Sequence, residues 1–153
     1  VEKYGVSAEQ AGQTREMIRQ RGADVGFTFN LEQRDRIYNT FDAHRLLHWA
    51  QLEGRQIELK QALFRAYFTD GQSPADHGVL LQLAAEVGLD VEAAAKVLAS
   101  DAYASEVRAQ EALYQGHGIN SVPAIIINQR HLIQGGQPVE VFEQALRQIS
   151  QVA

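Results

Sequence analysis

The chain has 153 residues, 45% of them hydrophobic, and 14 Lys+Arg against 19 Asp+Glu for a net charge of −5; it is domain-sized, can bury a core, and with its basic residues scattered it is a poor match for nucleic acid. No apolar run approaches membrane length and none follows a basic start, so neither a membrane span nor an export signal is read, and a soluble cytoplasmic protein is the expectation. There is no cysteine, which excludes disulfides, thiolate metal sites and cysteine nucleophiles within these residues.

Along the chain, Ser7 with Gln10 three residues later has capping-box spacing, and AEQAGQTREMIRQRG continues helically to Gly22. The period breaks in ADVGFTFNLEQ. There Val25, Phe27 and Phe29 alternate as in a short strand, while the glycine and the short length fit an extended loop equally well. From about Arg34 to Glu53, RDRIYNTFDAHRLLHWAQLE places Ile37, Phe41, His48 and Leu52 on one face, widened by Ala43, Leu46, Leu47 and Ala50, which predicts a long, central, buried helix. Gly54 stops it and QIELKQALFRAYFTD forms the next. Ser73 as N-cap and Pro74 at the first helical position open the helix through ADHGVLLQLAAEVG. Asp90 opens VEAAAKVLAS, Ser100 opens DAYASEVRAQEALYQG, and Gly116 and Gly118 supply a positive-φ exit.

The period then changes. PAIII, a turn at Asn128, Gln129 and Arg130, and HLIQGG predict a β-hairpin, with Pro138 at the first position of a closing helix, VEVFEQALRQIS. Three consecutive isoleucines imply that both faces of the first strand are covered, as in a sheet of more than two strands with helices on each side. The missing strands would come from VGFTFN, from a second copy of the chain, or from a segment encoded upstream of Val1. An uncovered strand edge there predicts self-association, with a homodimer through the sheet edge as the expected form.

Several polar residues are candidates for chemistry. His44 and His48 stand four apart on one helical face, the spacing of two zinc ligands, but Arg45 occupies the place of a zincin glutamate and further ligands are missing, so structural histidines are the better account and no metal is expected. Asp42 can pair with His44 or with Arg45. His117, between two glycines, could serve as acid or base near neutral pH, although a lone loop histidine more often has no role. GHGINS lacks the third glycine of a dinucleotide fingerprint and precedes a strand, so nucleotide binding is rejected. Asn39 and Thr40, poor helix formers, are expected to hydrogen-bond within the packing of a long helix. Tyr38, Phe41, Trp49, Tyr67 and Phe68 recur at helical spacing and read as core.

A strand opening on VPA, followed by a hairpin and GGQPVEVFEQAL as a last helix, resembles the C-terminal half of the thioredoxin fold, whose strand-opening proline is cis. The preceding helical block resembles the insertion of DsbA-like oxidoreductases, and RIYNTFDAHRLLHWA, AYFTDGQ and GINSVPAIII are similar to the FrnE-like branch. The resemblance implies an α/β, thioredoxin-like fold of DsbA type, mostly helical here, with a helical insertion domain over 1–115 and the C-terminal half of the thioredoxin-like domain over 116–153. It also implies that the N-terminal β-α-β part with its Cys-x-x-Cys motif is missing.

Thiol-disulfide exchange needs an activated thiolate and a second cysteine, so the chain as given is expected to be inactive. What the resemblance carries over is Pro123, expected cis and shaping a substrate groove, and Val122, whose backbone would pair with a bound peptide. Ser121 belongs to the same loop, and Asn39, Thr40 and His117 are further candidates for substrate contact. The partners implied are protein or peptide thiols and disulfides, with no cofactor. The alternatives are a glutathione-binding enzyme like the kappa-class glutathione transferases and hydroxychromene carboxylate isomerases, or a cysteine-free peptide-binding module.

Overall fold

In the computed structural model residues 8–30 and 37–152 are described, and they form seven helices and one hairpin. Ser7 and residues 34–36, on which two of the expected helix starts rest, lie outside the described residues. The chain divides into two compact units, Val1–Val107 and Arg108–Ala153.

The first unit holds α1 (Ala8–Asp24), α2 (Phe41–Leu52), α3 (Gln56–Phe68), α4 (His77–Glu86), α5 (Val91–Leu98) and the start of α6 (Ala104–Gly116). Helix α2 packs on α3 and α5, and α4 on the same two helices. Leu46, Leu59, Leu80 and Leu83 are fully buried at the centre, with Trp49, Leu63, Val97 and Leu98 around them. Each such leucine withdrawn from water contributes about 1.5–3 kcal/mol.

Helix α2 starts later than its periodicity predicts. Asn39 accepts a hydrogen bond from the Phe41 N–H at 3.0 Å, and the Thr40 carbonyl accepts the helical N–H of His44 at 3.0 Å. A short polar side chain that competes for backbone groups favours a helix start over an interior. Asn39 and Thr40 are therefore exposed ahead of the helix rather than packed within it, and Ile37 is 92% exposed. The inward face is Ala43, Leu46, Leu47, Trp49 and Ala50, while Leu52 faces solvent.

Gly22 does not stop α1, which runs to Asp24. A Cβ there would clash with the Phe29 ring and lie 2.7 Å from the Phe27 carbonyl, so the glycine is where the following loop folds back on the helix. Gly26 (φ 77) turns the chain, the Phe27 N–H donates to the Gly22 carbonyl at 2.8 Å, and the Asn30 N–H donates to the Phe68 carbonyl at 2.7 Å. Phe27 and Phe29 both face Phe68, with ring centroids 6.5 and 5.3 Å away. VGFTFN is thus a loop, not a strand: its alternation puts both rings on Phe68, but its backbone N–H groups bond to the end of α1 and to the Phe68 carbonyl rather than to a ladder.

Two caps also differ from expectation. Ser73 and Pro74 form a turn closed by the Asp76 N–H on the Ser73 carbonyl at 3.2 Å, and Asp76 is the true N-cap, accepting from the Val79 N–H at 3.1 Å. Ser100 ends α5 rather than opening α6: its hydroxyl donates to the Lys96 carbonyl at 2.8 Å, and Tyr103 (φ 62) precedes α6. Asp90 caps α5 as its position predicts, accepting from the Ala93 N–H at 2.9 Å.

The second unit contains the remainder of α6, strands β1 (Ala124–Ile127) and β2 (His131–Gln134), and α7 (Val139–Val152). The strands pair antiparallel, with Ala124 opposite Gln134 and Ile127 opposite His131. Asn128 and Gln129 take φ values of 52° and 57° to close the hairpin. Phe142, Ala145 and Ile149 recur at three- and four-residue spacing as the half-buried stripe of α7. Among the described residues the sheet has two strands, none of residues 108–151 is buried, and Ile126 is 44% exposed. The double-sided cover predicted from three isoleucines is therefore not supplied by the described residues.

Candidate functional site: the loop at the mouth of the hairpin

Helix α6 delivers the chain to this loop through a tightly bonded terminus. The Gly118 N–H donates to the Gln115 carbonyl at 2.9 Å and the Ile119 N–H to the Tyr114 carbonyl at 3.1 Å, with Gly118 at φ 77. This pair of bonds satisfies carbonyls that a helix end otherwise leaves open, and the positive φ makes glycine the residue that fits. His117 is held just before the turn, exposed, its N–H on the Leu113 carbonyl at 3.1 Å. Asn120 reaches back to the Gly118 carbonyl at 3.3 Å.

Ser121, Val122 and Pro123 follow, all exposed, and the Val122–Pro123 peptide bond is cis. The Val122 side chain is 89% exposed, an unusual position for a β-branched apolar residue beside a strand. Pro123 has no N–H, and its carbonyl accepts from Gly135 at 2.8 Å, extending the β1·β2 ladder by one bond. His117, Ser121, Val122 and Pro123 thus lie in one short stretch of the second unit, whereas Asn39 and Thr40 belong to the first.

Of the most organised polar cluster, sequence reasoning offered only the pairing of Asp42 with Arg45 and missed the rest. Arg45 is only 4% exposed, and its guanidinium donates to the carbonyls of Val97 (2.8 Å), Ser100 (2.7 Å) and Ala102 (3.0 Å), at the end of α5 and the turn beyond it. Its other face donates to Asp42 at 3.0 and 3.2 Å, and the second oxygen of Asp42 lies 2.7 Å from Nε2 of His77. Asp42 therefore pairs with Arg45 and also with His77, a residue 35 positions away in sequence that sequence reasoning did not consider. The His77 contact, and then Arg45, hold the Asp42 carboxyl below its ordinary value against the opposing effect of burial. The signal was an arginine among Ala43, Leu46 and Leu47, a charge on an inward face that must find partners.

His48 lies with its ring centroid 5.1 Å from that of Tyr103 and His44 is exposed. No group of three or more His, Cys, Asp or Glu side chains placed to hold a metal occurs among the described residues, nor is any helix there long and apolar enough to cross a membrane.

The fold has solved counterparts. A probable DsbA oxidoreductase from Streptomyces coelicolor superposes with a TM-score of 0.87 at 41% identity over 96% of this chain. A candidate protein disulfide isomerase from Nitrosomonas europaea superposes with a TM-score of 0.73 at 22% identity over 95% of this chain and 76% of its own, a likeness of fold. The chain spans 63% of the length of the Streptomyces protein. No curated protein matches. The family model of the DSBA-like thioredoxin domain matches residues 2–147, and on that match the chain belongs to the DSBA-like thioredoxin domain family.

Proposed function

We propose that this chain is the substrate-holding part of a protein thiol-disulfide oxidoreductase, in which residues 1–115 form the helical insertion and residues 116–153 the peptide-binding half of the thioredoxin-like domain. The observation that carries the reading is the exposed Ser121–Val122–Pro123 loop at the mouth of β1, with Val122 at 89% exposure next to a strand edge. An extended peptide meets such an edge by backbone pairing, which gives affinity independent of substrate sequence. Exchange itself requires a low-pKa thiolate and a resolving cysteine. The 153 residues contain neither, so any exchange by the protein uses cysteines outside them.

In this reading Val122 supplies the backbone partner, Pro123 and Ser121 shape the groove, and Asn39, Thr40 and His117 contact substrate. The FrnE-like branch and a cytoplasmic location belong to the same reading, supported by the stretches RIYNTFDAHRLLHWA and GINSVPAIII. Self-association through the free edge of the hairpin is its partner side. The test is a titration of the chain with an uncharged ten-residue peptide rich in Val and Thr, followed by amide NMR. Shifts centred on Ser121–Ala124, lost in Val122→Pro and largely kept in Val122→Ala, are expected; peptide binding that ignores Val122→Pro in a variant with unchanged circular dichroism refutes the assignment.

A further inference from the structure

The chain has four asparagines, Asn30, Asn39, Asn120 and Asn128, and their surroundings differ in what they allow the side-chain amide to do. Asn30 is half-buried, with its N–H on the Phe68 carbonyl at 2.7 Å, and precedes a leucine. Asn39 holds the Phe41 N–H at 3.0 Å and precedes the β-branched Thr40. Asn128 lies in the hairpin turn at φ 52°, closed by the Arg130 N–H on the Ile127 carbonyl at 3.1 Å. Only Asn120 combines exposure, a place outside helix and strand, and a small unbranched neighbour, Ser121, that is exposed as well.

That setting is the one in which the backbone attacks the side chain. The Ser121 nitrogen, its proton given to base, bonds to Asn120 Cγ; the Cγ–Nδ2 bond breaks and ammonia leaves, closing a five-membered succinimide. Water then opens the ring at either carbonyl, leaving aspartate or isoaspartate at position 120. Serine adds little bulk around the attacking nitrogen, whereas a β-branched neighbour crowds it. What opposes the reaction is the bond from Asn120 Nδ2 to the Gly118 carbonyl at 3.3 Å. That bond is exposed, and breaking it slows attack by no more than about tenfold, the factor that one net hydrogen bond is worth. The product cannot remake it, since a carboxylate has no N–H to donate and is repelled by the carbonyl. We propose that Asn120 is a site of spontaneous deamidation. Its conversion puts a negative charge two residues before Val122 and unties the loop from the turn that ends α6.

The experiment follows the 153-residue chain in mildly alkaline buffer, native and in urea, by peptide-mapping mass spectrometry. Isoaspartate methyltransferase labelling identifies the branched product. In the native chain Asn120 is expected to convert first, at a rate within about tenfold of its rate in urea, while Asn30 and Asn39 fall further below theirs. Ser121→Val should slow Asn120 severalfold in urea as in the native chain, so the comparison holds even where the substitution disturbs the loop. Asn120→Asp stands in for the linear product, and amide exchange at Ser121 and Val122 should be faster in it than in the parent chain. Native protection of Asn120 greater than about tenfold, or another asparagine converting first, overturns the site. A rate indifferent to Ser121→Val overturns the succinimide route. Unchanged exchange in Asn120→Asp overturns the untying of the loop.

Discussion

Replacing Arg45 by methionine keeps the length and apolar stem of the side chain and removes the guanidinium. Three carbonyls then lose donors that lie within 3.0 Å, those of Val97, Ser100 and Ala102; the 3.5 Å approach to Leu98 is too long to count. A buried acceptor left open costs about 1–3 kcal/mol. The larger cost falls on Val97, whose bond is buried and whose carbonyl keeps only the longer approaches of the Ser100 hydroxyl and N–H at 3.3 and 3.4 Å, while Ser100 and Ala102 are partly buried and can recruit water. Adding the half-exposed Asp42 partner, discounted for solvent, places Arg45→Met at about 3–5 kcal/mol, the range for breaking a buried charged pair. Arg45→Lys keeps the charge and a single nitrogen for the carbonyls that Nη1 reaches, but loses Nε and Nη2, which hold Asp42, and should cost about half as much. Urea unfolding followed by the fluorescence of Trp49, buried on the same helix, measures both variants. A loss below about 1 kcal/mol for Arg45→Met would show that water replaces the guanidinium freely and would refute the argument.

Asp42 titrates below its ordinary value in the folded chain, so its contribution is present above the unfolded value near 3.8 and is lost as pH falls through the lower folded one; acid unfolding below about pH 4 should therefore be less steep in Asp42→Asn than in the parent chain. Gly22→Ala should destabilise by about 1–3 kcal/mol because its Cβ meets Phe29 and the Phe27 carbonyl. Gly12→Ala, in the same helix with nothing within 4 Å, should stabilise by up to about 1 kcal/mol; equal signs in thermal melts would refute the close-approach account. Asp76→Ala should cost about 1 kcal/mol and Ser73→Ala less than half of that, since Asp76 holds the N-terminal amide of α4; the opposite order would return the cap to Ser73.

Local chemistry made much of this protein legible. The Asp90 cap, the Gly54 stop, the hairpin over PAIII and HLIQ and the helix after Pro138 depend on residues within a few positions of each other, and each stands where the chain alone places it. The family resemblance was legible for the same reason, as it rests on contiguous stretches. Where two local signals competed, only packing chose. Asn39, expected inside a helix, bonds the Phe41 N–H ahead of one, and Gly22, expected to end a helix, lies within one where the Phe29 ring folds against it.

The pair of Asp42 with Arg45 was one of two the sequence offered, but the rest of the cluster was beyond its reach because the carbonyls Arg45 meets are more than fifty residues away, brought together by α2 packing on α5. A buried guanidinium must find acceptors, but which ones depends on how helices cross. The three isoleucines illustrate the converse. Their pattern specifies strand conformation through β-branching and apolar contact. How many strands lie beside them is set by long-range pairing, to which the pattern of a single strand is blind.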